Sequence, residues 1–514
     1  MKPLSPRALI PCVGLGLALA WVTTPSVSLI ACASAALMLV HLRRHEGPPP
    51  AVPTFMALAS LAALYAWIVT RGSFDWGARE VLGSAYDSLA RSLRHGSAEV
   101  RPQDIGIEAW NLGGRTFMYF GPLPALLRLL PDLLAPARYG QWSRPSGYLA
   151  VLLCLWAVAA LCRRQLAANE RLDATGRTVL FFSALMAVAL GSPLVLLGSL
   201  ANLYHEAILW GLCGALWGVY FALGVLREDT AAWRNLTLLS AAAGLAFLSR
   251  VTFGVPLYAL AVGLALWLLV REVRRKQPLP TVARRVAWAL LPALAAGLFQ
   301  LWYNHARFGS PLAFAPFEGY SGPRPQGVDS PFHWSRIPSG AWAYFRLSWD
   351  FFSTRAPFVT FAHPQVFRPE LYRDLTTLLI SPLIVSPWLV MALVGGWMLP
   401  AQPGERRRLV LCALPFVAQG VLILAYYWLA YRFTAEFLPL GLWFLAAYLH
   451  RAGSGTGAAR LLSPKAFALV VALSTAATAA STFHFQSRWW AYPAEHRQHV
   501  SSLFEAINRL VAGP

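Results

Sequence analysis

Residues 71–144 hold the densest set of groups capable of chemistry in this 514-residue chain. The stretch contains the carboxylates Asp75, Glu80, Asp87, Asp104 and Glu108, several arginines, and many Tyr, Phe and Trp side chains. A positioned carboxylate can act as a general base, and a forked guanidinium matches a phosphate. Content of this kind reads as the wall of an active site, since a loop that only joined two helices would not need it. Within it, AYDSLARSLRHG has helical spacing, with Tyr86, Leu89, Ala90 and Leu93 on one face. Asp87 then falls in the first turn, where the helix dipole favours a carboxylate; capping that helix is the structural alternative. GRTFMYFGPLPALLRLLPDLL reads as a strand-like aromatic run ending near Tyr119, a GP turn, and an amphipathic helix lying in a membrane interface. Arg115 and Arg128 are candidates to meet a phosphate, with snorkelling the alternative for Arg128.

Other candidates lie at the ends of apolar runs. Tyr204, His205 and Glu206 open one run, at a place suited either to function or to interfacial anchoring. Adjacent His and Glu do not share a helix face, so no metal site is expected there. Arg250, in LAFLSRVTF, lies at the tip of a tight helical hairpin and is a further phosphate candidate. Arg432 and Glu436, in YRFTAEF, stand at i, i+4, a spacing that also permits a plain ion pair. The aromatic stretches 308–320 and 343–361 suit either lipid contact or stacking on a ligand.

These groups are positioned by a membrane scaffold. The chain is 57% hydrophobic and only 13% charged, against roughly 25% charged in a soluble domain. Its net charge of +20 sits in short arginine clusters at the ends of apolar runs and not in a basic tail, which argues against nucleic acid. The six cysteines fall in or beside apolar runs without CxxC spacing, so neither a disulfide framework nor a zinc site is expected. The span-length criterion gives about 13 membrane helices. They comprise a hairpin within residues 1–51, then spans near 53–70, 146–162, 178–198, 207–226, 236–249, 253–270, 287–304, 379–399, 409–428, 437–450 and 466–483. Threading them alternately collects Arg43-Arg44, Arg163-Arg164, Arg227, Arg274-Arg275-Lys276, Arg284-Arg285, Arg406-Arg407-Arg408 and Arg451 on one face, the expected cytoplasmic side. The N-terminus joins them there. The loops 71–144 and 305–378 and a tail over 484–514 fall on the opposite side of a core over 52–483. The fold expected is an all-α polytopic membrane protein whose large outer loops carry short amphipathic helices.

Four stretches together resemble bacterial GT-C glycosyltransferases of the polyprenyl-phosphate-sugar-dependent superfamily, the group that includes the family 39 protein O-mannosyltransferases and the lipid A aminoarabinose transferase. They are Tyr86-Asp87-Ser88-Leu89-Ala90 with the following YFGPLPALL, then AGLAFLSRVTF, NHARFGSPLAF and YRFTAEFLPL, spread over about residues 52–450. Phe433 stands where the family has Tyr, and Leu82-Gly83 stand where well-studied members carry an Asp or Asp-Glu. The resemblance implies a GT-C fold in a bacterial inner membrane, with the active site and the C-terminus periplasmic. It implies a polyprenyl-phosphate-linked sugar as donor and a glycan, lipid or protein hydroxyl as acceptor; no cofactor is expected, and nothing in the sequence supports or excludes a divalent metal. A first-loop acid would be the base, Asp87 first, then Asp75 or Glu80. Arg432, Arg250 and Arg115 would hold the donor phosphate, and Tyr86, Tyr119, Tyr204, His205, Glu206 and Glu436 would line the substrate. A flippase or transporter of lipid-linked glycans, or a non-catalytic envelope-assembly protein, are the competing readings. A transporter would call for mid-span charges and inverted repeats.

Overall fold

The computed structural model describes residues 25–42, 50–228, 230–314, 319–321, 330–372, 375, 377–401, 403–453 and 457–512. In chain order the helices begin with α1 (Pro25–Leu42), α2 (Ala51–Thr70) and α3 (Ala85–Leu93). A two-stranded antiparallel hairpin follows, β1 (Trp110–Leu112) with β2 (Arg115–Phe117), in which Asn111 pairs with Thr116. Next come α4 (Leu123–Leu134), α5 (Ser143–Ala167), α6 (Ala174–Ala189), α7 (Leu203–Arg227), α8 (Ala232–Ser249), α9 (Val251–Arg274) and α10 (Leu279–Phe308). The chain ends with α11 (Trp388–Met398), α12 (Pro403–Leu424), α13 (Leu438–Arg451), α14 (Pro464–Arg488) and α15 (Ala494–Ala512). Among the described residues, seven helices are long and apolar enough to cross a membrane: α2, α5, α7, α9, α10, α12 and α14. The second half of the expected N-terminal hairpin is α1, and residues 1–24 lie outside the described residues.

Two expected spans are broken, and the breaks support each other. The run 178–198 stops at Gly191-Ser192-Pro193 and resumes as the short helix Leu194–Ser199. The run 379–399 is interrupted at Ser386-Pro387. Proline removes a backbone donor and clashes with the preceding turn, which frees carbonyls that the bilayer core cannot satisfy. Here the freed carbonyl of Gly191 accepts from Ser386 Oγ and from Trp388 Nε1, both at 2.7 Å.

The bundle around α7 is close-packed. A side chain at Gly214 would press on the carbonyl of Ala242 at 2.9 Å, so glycine there sets the approach of α7 to α8. The outer loop docks just as tightly, because a Cβ at Gly121 would overlap the carbonyl oxygens of Leu248 and Ser249. Helix α4 carries its polar side inward. Arg128 and Asp132 are buried while Leu130, Leu133 and Leu134 are 61–74% exposed. Such an apolar outer face suits a helix lying in a membrane interface.

Thiol labelling checks the orientation. In sealed membranes, Ser330→Cys reacts with an impermeant maleimide added to the outer side, and Arg407→Cys reacts only after permeabilisation. The described native cysteines are buried except the half-buried Cys32, so the background is low. Labels in the reverse pattern would invert the topology.

Candidate active site

A cavity of about 460 Å³ lies where the loops 71–144 and 305–378 meet the α8–α9 junction and the end of α12. Its walls include Glu108, Trp110, Tyr119, Arg250, Gln300 and Tyr426. Glu108 ends the one-turn helix Gly106–Glu108, just before β1, and is 2% exposed. It accepts from the Tyr204 hydroxyl at 2.7 Å and from the Tyr320 hydroxyl at 3.3 Å. Two phenol donors stabilise a carboxylate without neutralising it. Burial, with Glu108 nearby, holds the Tyr119 phenol well above its ordinary value, so this wall residue stays protonated. The Gln300 carbonyl oxygen is buried without a described partner and offers an acceptor to a ligand hydroxyl.

Two arginines stand beside this carboxylate. Arg432 is 8% exposed, and its guanidinium lies 4.9 Å from the Tyr204 ring centre, 5.0 Å from that of Trp428 and 5.0 Å from that of Phe433. Among the described residues it makes no ion pair. The ion pair that its spacing to Glu436 permits does not form, because Tyr431–Phe437 is a 3-10 helix. At three residues per turn, i and i+4 no longer share a face. Glu436 instead pairs with Arg250 Nε at 2.5 Å and accepts from Thr252 at 2.7 Å and from Gln419 at 2.6 Å. Arg250 also sits 5.0 Å from the Phe433 ring centre. The two guanidiniums therefore flank one ring, within about 10 Å of each other. Tyr204 joins the halves of the site, its ring against Arg432 and its hydroxyl on Glu108.

Behind this wall lies a second charged cluster. Arg128 is 2% exposed and donates to Asp87 at 3.0 Å, to the Gly83 carbonyl at 2.9 Å, to Ser143 at 3.2 Å and to Glu206. The Gly140 N–H also donates to Asp87, at 3.1 Å. Glu206 immediately precedes Ala207, which lines the cavity, so the cluster backs the site without opening into it. Burial raises the Asp87 carboxyl to about 6, against the pull of Arg128.

The other sequence candidates fall in varied places. Asp75 is exposed and accepts from Gly77 N–H in a turn at 2.9 Å. Glu80 is held between Arg71 at 2.8 Å and Arg144 at 2.6 Å. Tyr86 is buried against Arg128, and His205 is buried with its backbone N–H on the capping Asn202. Arg115 pairs with Glu99 on an exposed strand end. Tyr119 and Arg250 thus line the cavity, Tyr204 and Glu436 contact its lining residues Glu108 and Arg250 from behind, Arg432 lies against Tyr204, and Asp87, Tyr86 and Glu206 are tied to Arg128. Glu108, one of several loop acids in the sequence, is the one that lines the cavity. The Asn304-to-Pro311 stretch is structural: Arg307 donates to the Met118 carbonyl at 2.6 Å, and Asn304 to that of Pro311 at 2.9 Å. Among the described residues no group of three or more His, Cys, Asp or Glu side chains is arranged to hold a metal.

No protein-family model matches the chain, and no curated protein does. Two solved structures overlap it. One is the Archaeoglobus fulgidus oligosaccharyltransferase in the apo form, at 12% identity and a TM-score of 0.38. The other is the archaeal oligosaccharyltransferase AglB from Archaeoglobus fulgidus in complex with an inhibitory peptide and a dolichol-phosphate, at 11% identity and a TM-score of 0.36. Each overlap covers 87% of this chain and 59% of the other, so the chain spans under two thirds of their length. Overlaps this distant assign neither family nor site residues.

The buried cluster makes a stability prediction. Arg128→Met strands two carboxylates and costs about 3–5 kcal/mol, measured by unfolding in detergent. Asp87→Asn folds. A folded-state value raised from 3.8 to about 6 means that the folded protein holds this proton more tightly than the unfolded chain does. Its contribution to stability therefore falls as pH rises from near 3.8 to about 6 and is level above that. The Asn variant lacks this fall, and identical pH profiles for the two proteins would contradict the assignment.

Proposed function

We propose that this chain is a membrane glycosyltransferase of the GT-C type, moving a sugar from a polyprenyl-phosphate donor to a hydroxyl acceptor at its outer face. The observation that carries the reading is the pairing across Tyr204 of a buried carboxylate, Glu108, with Arg432, neither of which makes an ion pair among the described residues. The family resemblance of the four sequence stretches supports it, since three of them contribute to the cavity or its walls.

Glu108 takes the proton of the acceptor hydroxyl. The acceptor oxygen then bonds to the anomeric carbon from the face opposite the phosphate, the carbon–oxygen bond to phosphate breaks, and the electron pair leaves on the phosphate. Inversion follows. Arg432 and Arg250 stabilise the charge that develops on the leaving group, which is worth more in a cavity partly shielded from water than in bulk solvent. Tyr204 and Tyr320 hold the Glu108 carboxylate in place through their hydroxyls. The rings of Trp110 and Tyr320, with centres 4.3 Å apart, provide flat apolar surface for a sugar. We place the base at Glu108 in preference to Asp87, Asp75 and Glu80, because those three are engaged by Arg128, by a turn, and by Arg71 and Arg144. A transport reading gains no support: in the seven spans every Asp, Glu, Lys, Arg and His lies toward a helix end.

Mass spectrometry of lipid-linked sugars and surface glycans tests the proposal in a strain lacking the gene. Wild type restores one sugar and relieves accumulation of its lipid-linked donor. Glu108→Gln, which keeps the shape of the side chain and one acceptor oxygen for the tyrosines, lowers transfer by about 10²-fold or more, whereas Asp87→Asn restores it. Arg432→Ala raises the donor concentration needed for half-maximal transfer. Equal restoration by Glu108→Gln and wild type would remove Glu108 as the base, and restoration of a whole glycan by every variant would favour transport or assembly.

A further inference from the structure

The end of the bundle opposite the candidate active site carries a second cavity, of about 370 Å³, that the transfer reaction does not use. Helix α7 relates the two. Ala207 lines the first and Arg227 the second, and twenty residues of α-helix rise about 30 Å, the thickness of a bilayer core. The second cavity lies between the C-terminal ends of α7 and α13 and the start of α12. Leu223, Leu226 and Trp443 form its apolar side.

Its polar side is strongly cationic. Arg227, Arg408, Arg451 and His450 line it, against one carboxylate, Glu405. Arg451 takes that carboxylate at 3.1 Å. Among the described residues Arg227 bonds only to the amide oxygen of Gln165, and Arg408 only to the Gly404 carbonyl, at 3.3 Å. Neither has a counter-ion there. His450 Nδ1 and Arg451 Nε are buried without a described partner. Arg171 lines the adjoining pocket and donates to the Arg451 carbonyl at 3.2 Å. Two unneutralised guanidiniums and an unsatisfied imidazole beside apolar walls fit an anion whose charge is compact and whose remainder is greasy.

We propose that this cavity binds a phosphate group, with the Arg227 and Arg408 guanidiniums as its principal donors. When the phosphate belongs to an anionic phospholipid, the acyl chain lies along Leu223, Leu226 and Trp443. The site stabilises the bundle by clamping α7, α12 and α13 together at the end remote from transfer.

The test measures unfolding temperature of the full chain in phosphatidylcholine nanodiscs, with added phosphatidylglycerol or with inorganic phosphate. Phosphatidylglycerol raises the wild-type temperature, and the double variant Arg227→Gln/Arg408→Gln needs about tenfold more lipid or higher for the same rise. Both positions are exposed, and an unchanged unfolding temperature in pure phosphatidylcholine establishes that the variant folds. Arg406→Gln/Arg407→Gln, which removes two exposed arginines outside this cavity, responds as wild type does. A rise with phosphatidylglycerol alone assigns a lipid headgroup, and a rise with inorganic phosphate as well assigns a soluble phosphate. No rise with either, or equal loss in both double variants, would overturn the site.

Discussion

Arg128 carries one positive charge into a volume closed to water, and two carboxylates meet it there. Removing the guanidinium would leave Asp87 and Glu206 facing each other without compensation, a cost that low-dielectric surroundings make severe. The pairing joins three pieces of chain far apart in sequence: the helix α3, the amphipathic α4 and the first turn of α7. It fixes α3 and α4 against the mouth of α7, and the hairpin and Glu108 are built on that platform. Asp132 reinforces it by gathering Arg91 at 2.9 Å and Arg94. Charge inside and leucine outside is the reverse of a soluble helix, and it is stable only where the outer face meets an apolar medium.

The candidate site follows a different rule. Its charges are arranged so that each half lacks something. Among the described residues Glu108 has donors but no cation, and Arg432 has rings around it but no carboxylate. Glu436, which could have neutralised Arg432, is held by Arg250, Thr252 and Gln419 instead. Such incompleteness in a buried site has an energetic cost in the empty protein, and a ligand that brings a hydroxyl proton and a phosphate relieves it. The two clusters lie on either side of the first turn of α7: in one, Arg128 is paired directly with two carboxylates, and in the other a carboxylate and an arginine meet only through Tyr204.

Much of the scaffold was legible because membrane helices are specified locally, by runs of apolar residues and arginines at their ends. The breaks at Gly191-Ser192-Pro193 and Ser386-Pro387 carried a local signal in proline, yet their compensation through Trp388 did not. The site was only half legible. Arg250, Arg432 and Tyr204 stood out as polar groups at span mouths, and Tyr119 as part of the first loop's aromatic run. Asp87 is a candidate base by its first-turn position, and the contact that ties it to Arg128, 41 residues away, has no local signal in the sequence. The spacing of Arg432 and Glu436 suggested an α-helical pair, and a single 3-10 segment cancelled it. Glu108 had no distinguishing local signal among the seven acids of residues 71–144; its contacts to tyrosines from α7 and the second loop come only with the fold.

The most direct test is a cryo-EM structure of the full chain with a polyprenyl phosphate bound. The phosphate belongs in the first cavity, within hydrogen-bond reach of Arg432 or Arg250 and on the Tyr204 side of Phe433, with Glu108 left free for an acceptor. A phosphate held by Arg115, or found only at the Arg227 end of the bundle, would contradict this account of where the reaction takes place.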